Sequence, residues 1–239
     1  MRRLVAAVLT LVTVAAPLAA QQPVTVTFSE YASPVSREYP AAIGDPLSSG
    51  GFDFYSTDAF WTGARNVLGT WGNSPSDPGF TNRPTNLGSS TAMGATTPGT
   101  AGTVDMYAAG DNPLATTKAF NLFSIDVAHL YSTAFVPTLQ NFTLTFSGSY
   151  PVGSVIQQSF LVTVPPAGPD GIQRPLLQTL TFDARWRGLD NVWWGQGSAL
   201  STLHQFTNVT AAVVPEPGTY VLLATGLAGL ALVARRRRR

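Results

Sequence analysis

The chain of 239 residues contains no cysteine, and only 11% of its residues are charged, where about a quarter is usual for a globular protein. The lack of cysteine excludes a disulfide framework, a thiolate metal site and a cysteine nucleophile. A domain without disulfides depends on its hydrophobic core, and this chain is long enough to bury one. Its polarity comes instead from Ser, Thr, Asn, Gln and Gly, a composition that fits an exported protein.

Basic residues are scarce between the two ends of the chain. Of the fourteen, seven lie at the termini, at Arg2, Arg3 and the last five positions. The span 21–215 therefore holds seven basic residues against twelve acidic ones, which gives a formal charge of −5. This balance excludes the basic surface with which proteins bind nucleic acid, so no nucleic-acid partner is expected.

Motifs for catalysis and metal binding are also absent. The two histidines, His129 and His204, belong to no triad or His-Glu-x-x-His pattern, and the sequence has no Gly-x-Ser-x-Gly turn and no P-loop. A lone histidine in a strand-rich chain is more often structural, and His204 is expected to be so. Calcium suits Asp side chains at a sheet edge, but no Asp-x-Asp-x-Asp-Gly loop supports it. No metal site and no cofactor are therefore predicted.

Glycoside hydrolysis would need two carboxyl groups about 5–10 Å apart. The sequence offers six aspartates for this role, Asp53, Asp58, Asp105, Asp126, Asp183 and Asp190. Nothing in the sequence pairs them, and aspartates beside turns usually form those turns. The chain is therefore predicted not to be an enzyme, with a glycoside hydrolase as the less favoured alternative.

Long helical patterns are missing from the central part of the chain. Short segments there alternate apolar and polar residues with a period of two and are separated by turn residues. These segments are 24–28, 52–55, 104–107, 120–127, 142–146, 155–164, 177–182, 192–194 and 206–214. They predict a mainly β fold, a single antiparallel β-sandwich over residues 21–214. Within it, the Gly- and Pro-rich span 62–102 is expected to be a long irregular excursion on the surface, partly ordered.

Each end of the chain carries a segment of its own. A basic start, an apolar run and small residues up to Ala20 predict an N-terminal signal helix, the signal peptide 1–20. The C-terminal segment 215–239 contains Pro215-Glu216-Pro217 and an apolar run, and it closes with the arginines Arg235, Arg236, Arg237, Arg238 and Arg239. The prolines disfavour helix and predict an extended joint. The apolar run predicts a transmembrane helix over 219–235, and the arginines act as a stop-transfer signal.

This C-terminal arrangement resembles the PEP-CTERM sorting signal of bacterial exosortase substrates. The resemblance implies a protein that is exported and then held transiently in the membrane by its C-terminal helix. An exosortase-type transpeptidase would cut it near Pro215-Glu216-Pro217 and pass it to the cell surface or extracellular matrix. The strand order between residues 120 and 209 also resembles the jelly-roll ectodomain of many PEP-CTERM proteins, which is similar in outline to carbohydrate-binding modules. That ectodomain usually ends in a Phe-Asp-Asn-Ile-like strand, where this chain has Phe206-Thr207-Asn208-Val209.

One group of aromatic residues is a candidate ligand site, namely Trp186, Asp190, Trp193 and Trp194. A tryptophan face stacks on the apolar face of a sugar, while polar neighbours bind its hydroxyl groups. Because successive strand residues point to opposite faces, one of Trp193 and Trp194 is expected to pack inside the domain. The favoured function is thus a non-enzymatic surface or exopolysaccharide-associated protein. A carbohydrate-binding module for extracellular polysaccharide is the alternative.

Overall fold

The computed structural model describes residues 22–42, 45–56, 67–77, 83–94, 103–109, 118–130, 139–195 and 203–215, together with residues 226, 227, 229 and 235. The signal peptide 1–20 and most of the transmembrane helix 219–235 that the sequence predicts lie outside these residues. In the part of the chain that is described, no helix is long and apolar enough to cross a membrane. Residues 23–213 form a compact unit of their own.

The regular secondary structure in the described part of residues 22–215 consists of thirteen strands and one three-residue 3-10 helix, Ser29–Tyr31. The strands are β1 Val24–Val26, β2 Arg37–Pro40, β3 Leu47–Ser49, β4 Phe52–Ser56, β5 Val67–Thr70, β6 Met93–Gly94, β7 Thr103–Ala108, β8 Phe120–His129, β9 Phe142–Ser149, β10 Val155–Val162, β11 Gln178–Thr181, β12 Asn191–Gly195 and β13 His204–Val213. All of their pairings are antiparallel.

The strands form two sheets. The first sheet has the order β11-β8-β13-β6-β5-β2, and β1 also pairs with β13. Strand β13 therefore has β8 on one side, while β6 and β1 share its other side, along residues 205–206 and 209–211 respectively. The second sheet has the order β10-β9-β12-β7-β4-β3. The predicted mainly β fold with antiparallel sheets is confirmed.

Aromatic side chains hold the two sheets together. The Trp194 ring of the second sheet lies 5.0 Å, centroid to centroid, from Phe206 of the first, at right angles to it. In the same way Phe52 lies 5.5 Å from Phe120. Most residues on the inward faces of the strands are buried because strand alternation points them toward the opposite sheet, and most of those on the edge strand β10 are half-buried. The core therefore sits between the sheets, and the outward faces remain for other roles.

The sequence pattern predicts nine of the thirteen strands and does not predict β2, β3, β5 and β6. Strand β2 is charged and ends in a proline, while β3 and β6 have only three and two residues. Such segments are too short or too polar to show a period of two. Strands β5 and β6 lie within the span 62–102 and pair with each other at the β2 end of the first sheet.

The last strand contains a bulge at Asn208, whose φ of 48° is left-handed. The register between β13 and β8 shifts between Thr207 and Thr210. Asparagine tolerates this conformation better than most residues, and a bulge leaves its side chain unpaired in the ladder. The Asn208 amide donates to Asp126 Oδ2 at 2.7 Å, and its oxygen accepts from Ser90 Oγ at 2.5 Å. Asn208 therefore fastens the segment before β6 to the first sheet.

We expect a fragment of residues 21–214 to fold by itself into a β protein. The reason is that every strand and core residue that the structure describes lies inside residues 23–213, which form a compact unit. A far-ultraviolet circular dichroism spectrum should show a single β-type minimum and a cooperative thermal transition. A spectrum dominated by helix would contradict this structure.

Candidate functional site

The outer face of the second sheet carries aromatic and polar side chains that the core does not use. On its central strands every second residue points away from the first sheet, as strand alternation requires. We call this surface the Trp193 face and define it by six side chains on three neighbouring strands, Asp53 and Tyr55 of β4, Asp105 and Tyr107 of β7, and Asn191 and Trp193 of β12.

The strand register places these side chains in two rows. In the first row Trp193 lies opposite Asp105, and Asp105 lies opposite Tyr55. Directly opposite residues in an antiparallel pair have Cα atoms about 4.5–5.5 Å apart, so their side chains are neighbours on the face. Trp193 and Asp105 are partly exposed, whereas Tyr55 is only 4% exposed. The Trp193 face is therefore accessible to solvent at β12 and β7 and buried at Tyr55 of β4.

Hydrogen bonds fix the polar groups of the Trp193 face. Asn191 Nδ2 donates to the Tyr107 hydroxyl oxygen at 3.0 Å, and Thr103 Oγ1 donates to Asp105 Oδ2 at 3.0 Å. The rings of Tyr55 and Tyr107 meet edge to face, with centroids 5.5 Å apart. Side chains held in this way lose little conformational entropy when a ligand binds, which favours affinity.

Burial changes the acid–base properties of the face. It raises the pKa of Tyr107 to about 12, with help from the nearby carboxylates of Asp105 and Asp190. The Tyr107 hydroxyl is therefore protonated at neutral pH and keeps a proton to donate. Burial also raises the pKa of Asp105, against the opposing effect of hydrogen bonds from Thr103 and Asn191. A carboxylate and a phenol thus lie side by side, one able to accept hydrogen bonds and the other able to donate them.

The raised pKa of Asp105 predicts a pH-dependent effect on stability. The folded state holds the proton more tightly than the unfolded state, so the contribution of Asp105 to stability is full at low pH and is lost as pH rises through its folded pKa. We expect Asp105→Asn to raise the midpoint of urea denaturation at pH 7, and we expect this gain to vanish near pH 3.

The matched control for this prediction is Asp183→Asn. Hydrogen bonds from Arg185 lower the pKa of Asp183, which reverses the sign. This second variant should lower the midpoint at pH 7 and have no effect at low pH. If the two variants shift the midpoint in the same direction at both pH values, burial does not raise the pKa of Asp105.

The structure separates the four residues of the predicted ligand group. Trp193 lies on the Trp193 face, and Asp190, just before β12, accepts a hydrogen bond from the Ser149 hydroxyl. Trp186 and Trp194 are 0% and 1% exposed and belong to the core. The expectation that one of Trp193 and Trp194 packs inside is confirmed. The ligand-binding interpretation now depends on Trp193 and Asp190, and it stays a prediction.

The candidate acids are also distributed unevenly. Asp53 and Asp105 share the Trp193 face, on neighbouring strands and in adjacent rows. Asp126 instead accepts hydrogen bonds from Thr179 and Asn208, and Asp183 pairs with Arg185 at 2.7 Å. Asp58 lies outside the described residues. The pairing of β4 with β7 thus brings Asp53 close to Asp105, two of the acids that the sequence offers for hydrolysis. They are 52 positions apart in the sequence, so no local pattern predicts that they are neighbours.

Both histidines are buried at the start of the β8–β13 pairing, where His129 lies opposite His204. His129 Nε2 lies 2.9 Å from the Gln140 carbonyl oxygen, and the His129 ring meets Phe142 edge to face. Burial lowers the pKa of His129, so it is neutral at physiological pH. His204, for which the sequence predicts a structural role, is fully buried, and its ring stacks on Phe142 with the centroids 5.8 Å apart. That role stays a prediction.

A small cleft on the first sheet is a site that sequence reasoning does not identify. It has a volume of about 150 Å³ and is lined by Trp71, Asn73, Arg83 and small polar residues of the segment 88–92, with Gln205 of β13. Burial lowers the pKa of the Arg83 guanidinium. The volume is below the roughly 300–1,000 Å³ of typical ligand pockets, so the open Trp193 face suits an extended ligand better. Among the described residues, no three His, Asp or Glu side chains are placed to hold a metal ion.

The C-terminal segment begins directly after the last strand. Strand β13 ends at Val213, and Pro215 follows two residues later. Of the other predicted sorting and stop-transfer residues, Arg235 is helical and exposed, whereas Glu216, Pro217 and 236–239 lie outside the described residues.

A β protein of two antiparallel sheets is thus followed in the chain by a Pro-Glu-Pro tripeptide, an apolar run and an arginine cluster. Residues 213–239 match the family model described as the PEP-CTERM protein-sorting motif. The chain therefore carries a PEP-CTERM signal, which marks it as a protein that is exported and sorted by exosortase. No curated protein and no solved structure matches the chain.

Proposed function

We propose that exosortase delivers this protein to the cell surface or its exopolysaccharide, and that its jelly-roll-like β-sandwich binds extracellular polysaccharide without hydrolysing it. The observation that carries the binding proposal is the partly exposed Trp193, held opposite Asp105 on an outer sheet face beside Tyr107 and Asn191. Delivery is supported by the match of residues 213–239 to the PEP-CTERM motif.

Delivery follows the order of the segments along the chain. The signal peptide 1–20 starts export, and the helix 219–235 then stops in the membrane with its arginines on the cytoplasmic side. Pro215-Glu216-Pro217 lies just outside the bilayer in this arrangement, within reach of a membrane transpeptidase. Cleavage there leaves the domain complete, because strand β13 ends before the joint.

The Trp193 face has the chemistry that a polysaccharide requires. A pyranose ring has an apolar face that stacks on an indole, and hydroxyl groups around its rim that need donors and acceptors. Asp105 supplies an acceptor, and the Tyr107 hydroxyl supplies a donor. The row of Trp193 continues through Ser147 of β9 to Gln157 of β10, which donates to Ser147 Oγ at 3.1 Å. Because Tyr55 closes the row at β4, the row extends over the four strands β7, β12, β9 and β10. At about 4.8 Å between strands they span roughly 14 Å, long enough for two or three sugar units.

We expect Trp193→Ala to weaken polysaccharide binding by the 21–214 fragment about tenfold, or ~1.4 kcal/mol, because the stacking surface is lost. The measurement is a polysaccharide-array screen followed by titration of the best ligand. Trp71→Ala is the matched control, since Trp71 is a partly buried tryptophan that lines the cleft on the other sheet. Loss of binding in Trp71→Ala alone would place the site in the cleft, and no binding by the parent would refute the proposal.

A glycoside hydrolase is the second candidate function, and one observation favours it. Asp53 and Asp105 are diagonal neighbours on adjacent strands, where side chains lie about 7–8 Å apart. That spacing falls within the range that glycosidases use, and a carboxyl with a raised pKa suits the general acid. The same titration samples decide between the two functions. If the parent protein produces new reducing ends in the polysaccharide and Asp105→Asn does not, the function is hydrolysis and not binding alone.

A further inference from the structure

Strand β10 is an edge strand without the features that normally protect a sheet edge from pairing with another chain. In the described part of the chain, the strand orders of the two sheets end in four edge strands, β2 and β11 in the first and β3 and β10 in the second. Strand β1, which pairs only with β13, also has a free side but is only three residues long. Strands β3 and β11 have only three and four residues. Strand β2 carries Arg37 and Glu38 and ends in Pro40. Short length, charge and proline are the usual protections of an edge, so three of the four edges are guarded.

The fourth edge has none of these protections. Strand β10 has eight residues without charge or proline, Val-Ile-Gln-Gln-Ser-Phe-Leu-Val, and it pairs with β9 in a register that is unbroken from residue 155 to residue 162. No bulge twists it away. Within the described part of the chain, its ladder hydrogen bonds are those with β9, so its outer side still presents backbone donors and acceptors.

Strand β10 also exposes apolar side chains. Val155 and Leu161 lie at its two ends on the outer face and are 54% and 60% exposed. Val152, in the turn between β9 and β10, is 89% exposed. Covering exposed apolar side chains with an added strand removes them from water, which lowers the free energy.

We propose that β10 is an interaction edge through which two copies of this protein pair, β10 against β10, in antiparallel orientation. Two copies of one strand pair in this way about a two-fold axis perpendicular to the sheet, so that directly opposite residues lie on the same face. An axis through Gln158 places Val155 opposite the partner's Leu161, and the reverse pair forms at the other end. The two exposed apolar residues of each copy are thereby covered together.

The charge of this region favours a second copy over a partner of another kind. The sequence has no Asp, Glu, Lys or Arg between Asp126 and Asp170, a stretch that includes all of β9 and β10. A charged partner would find no complementary group on this edge, whereas two copies meet without like-charge repulsion. Attachment of many copies to one cell surface also raises their local concentration, which favours pairing through a modest interface.

The absence of cysteine gives a direct test in the full chain. A single cysteine at position 158 would lie on the two-fold axis, with Cα atoms about 4.5–5.5 Å apart, inside the range that a disulfide bridges. Cells that produce Gln158→Cys are treated with a mild oxidant, and the envelope and surface fractions are run on a non-reducing gel. We expect a band at twice the mass of the protein that disappears on reduction.

Leu161→Cys is the matched control on the same strand. Its two copies would be about 20 Å apart, six residue steps of ~3.4 Å, so this variant should stay monomeric. Equal cross-linking of both variants would show random collision and overturn the proposal. Monomer alone from Gln158→Cys would also overturn it, and a cross-linked band of another mass would assign the edge to a different chain.

A second variant keeps the test valid if Gln158→Cys folds poorly. Gln158 lies near the first sheet, with its side chain 3.4–3.5 Å from Asp183 N and Thr181 O, whereas Gln157 and Ser159 are exposed. The axis places Gln157 opposite the partner's Ser159, so Gln157→Cys/Ser159→Cys should cross-link as well. Adding Leu161→Lys to either variant should abolish the dimer band without changing the melting temperature, because this side chain is already exposed.

Discussion

Changing Pro215-Glu216-Pro217 to three alanines is expected to leave export intact and to abolish processing. Proline disfavours helix at and before its own position, so we expect the two prolines to keep the joint extended and to stop a helix of the apolar run from extending back toward β13. Alanine is the strongest helix former, so the variant joint would become helical and would withhold its peptide bonds from an active site. The measurement is the mass of the protein in the membrane and surface fractions of a host that has exosortase.

Two controls make this result specific to the joint. Arg238→Ala/Arg239→Ala keeps the Pro-Glu-Pro motif and three arginines, so it should be processed like the parent. The parent chain in a host without exosortase should remain uncut in the membrane. If the alanine variant is still trimmed and released like the parent, the tail is an ordinary anchor that another protease cuts.

Trp194→Ala is expected to lower the free energy of unfolding by about 3–5 kcal/mol, the range for truncating large aromatic residues in cores. The Trp194 ring is 1% exposed and contacts Phe146 and Phe206, so its loss opens a cavity between the sheets. Trp193→Ala, one position away and partly exposed, should cost much less. The measurement is urea denaturation of the 21–214 fragment, followed by tryptophan fluorescence and circular dichroism.

A conservative variant separates packing from hydrogen bonding at this position. Among the described residues, none accepts a hydrogen bond from the buried Trp194 Nε1. Trp194→Phe therefore removes an unsatisfied donor while it keeps most of the ring contacts. Its cost should be well below that of Trp194→Ala. If the alanine variants at positions 193 and 194 both unfold at the urea concentration of the parent, the core does not depend on either ring.

The fold was predictable wherever a strand is long and packs one face on the core. In β9, apolar and polar residues alternate over eight residues, and in β8 they alternate on either side of the adjacent apolar pair Leu122 and Phe123, so the period is visible in the sequence. Strands β3 and β6 are too short for any period, and they form because a longer neighbour, β4 or β13, offers them a ladder. Such pairing is set by tertiary contacts, which a local pattern does not contain.

The candidate site was predictable only in part. The alternation of side chains along a strand places Trp193 and Trp194 on opposite faces of the sheet. It does not tell which of the two faces packs on the core. The position of Asp105 opposite Trp193 depends on the pairing of β7 with β12, which are 88 positions apart in the chain. Trp186 lies in a turn region, outside any strand, where no period assigns its direction.

The place of β13 in its sheet has a mechanical consequence for a protein attached at its C-terminus. A pull on the chain after Val213 acts along a strand that has β8 on one side and β1 and β6 on the other. The strand slides out only if its ladder hydrogen bonds on both sides break together, whereas an edge strand peels away one bond at a time. The rate of forced unfolding depends on the height of the unfolding barrier. If exosortase attaches the protein at this end, as proposed, a pull from outside reaches the domain through β13, which ladders hold on both sides.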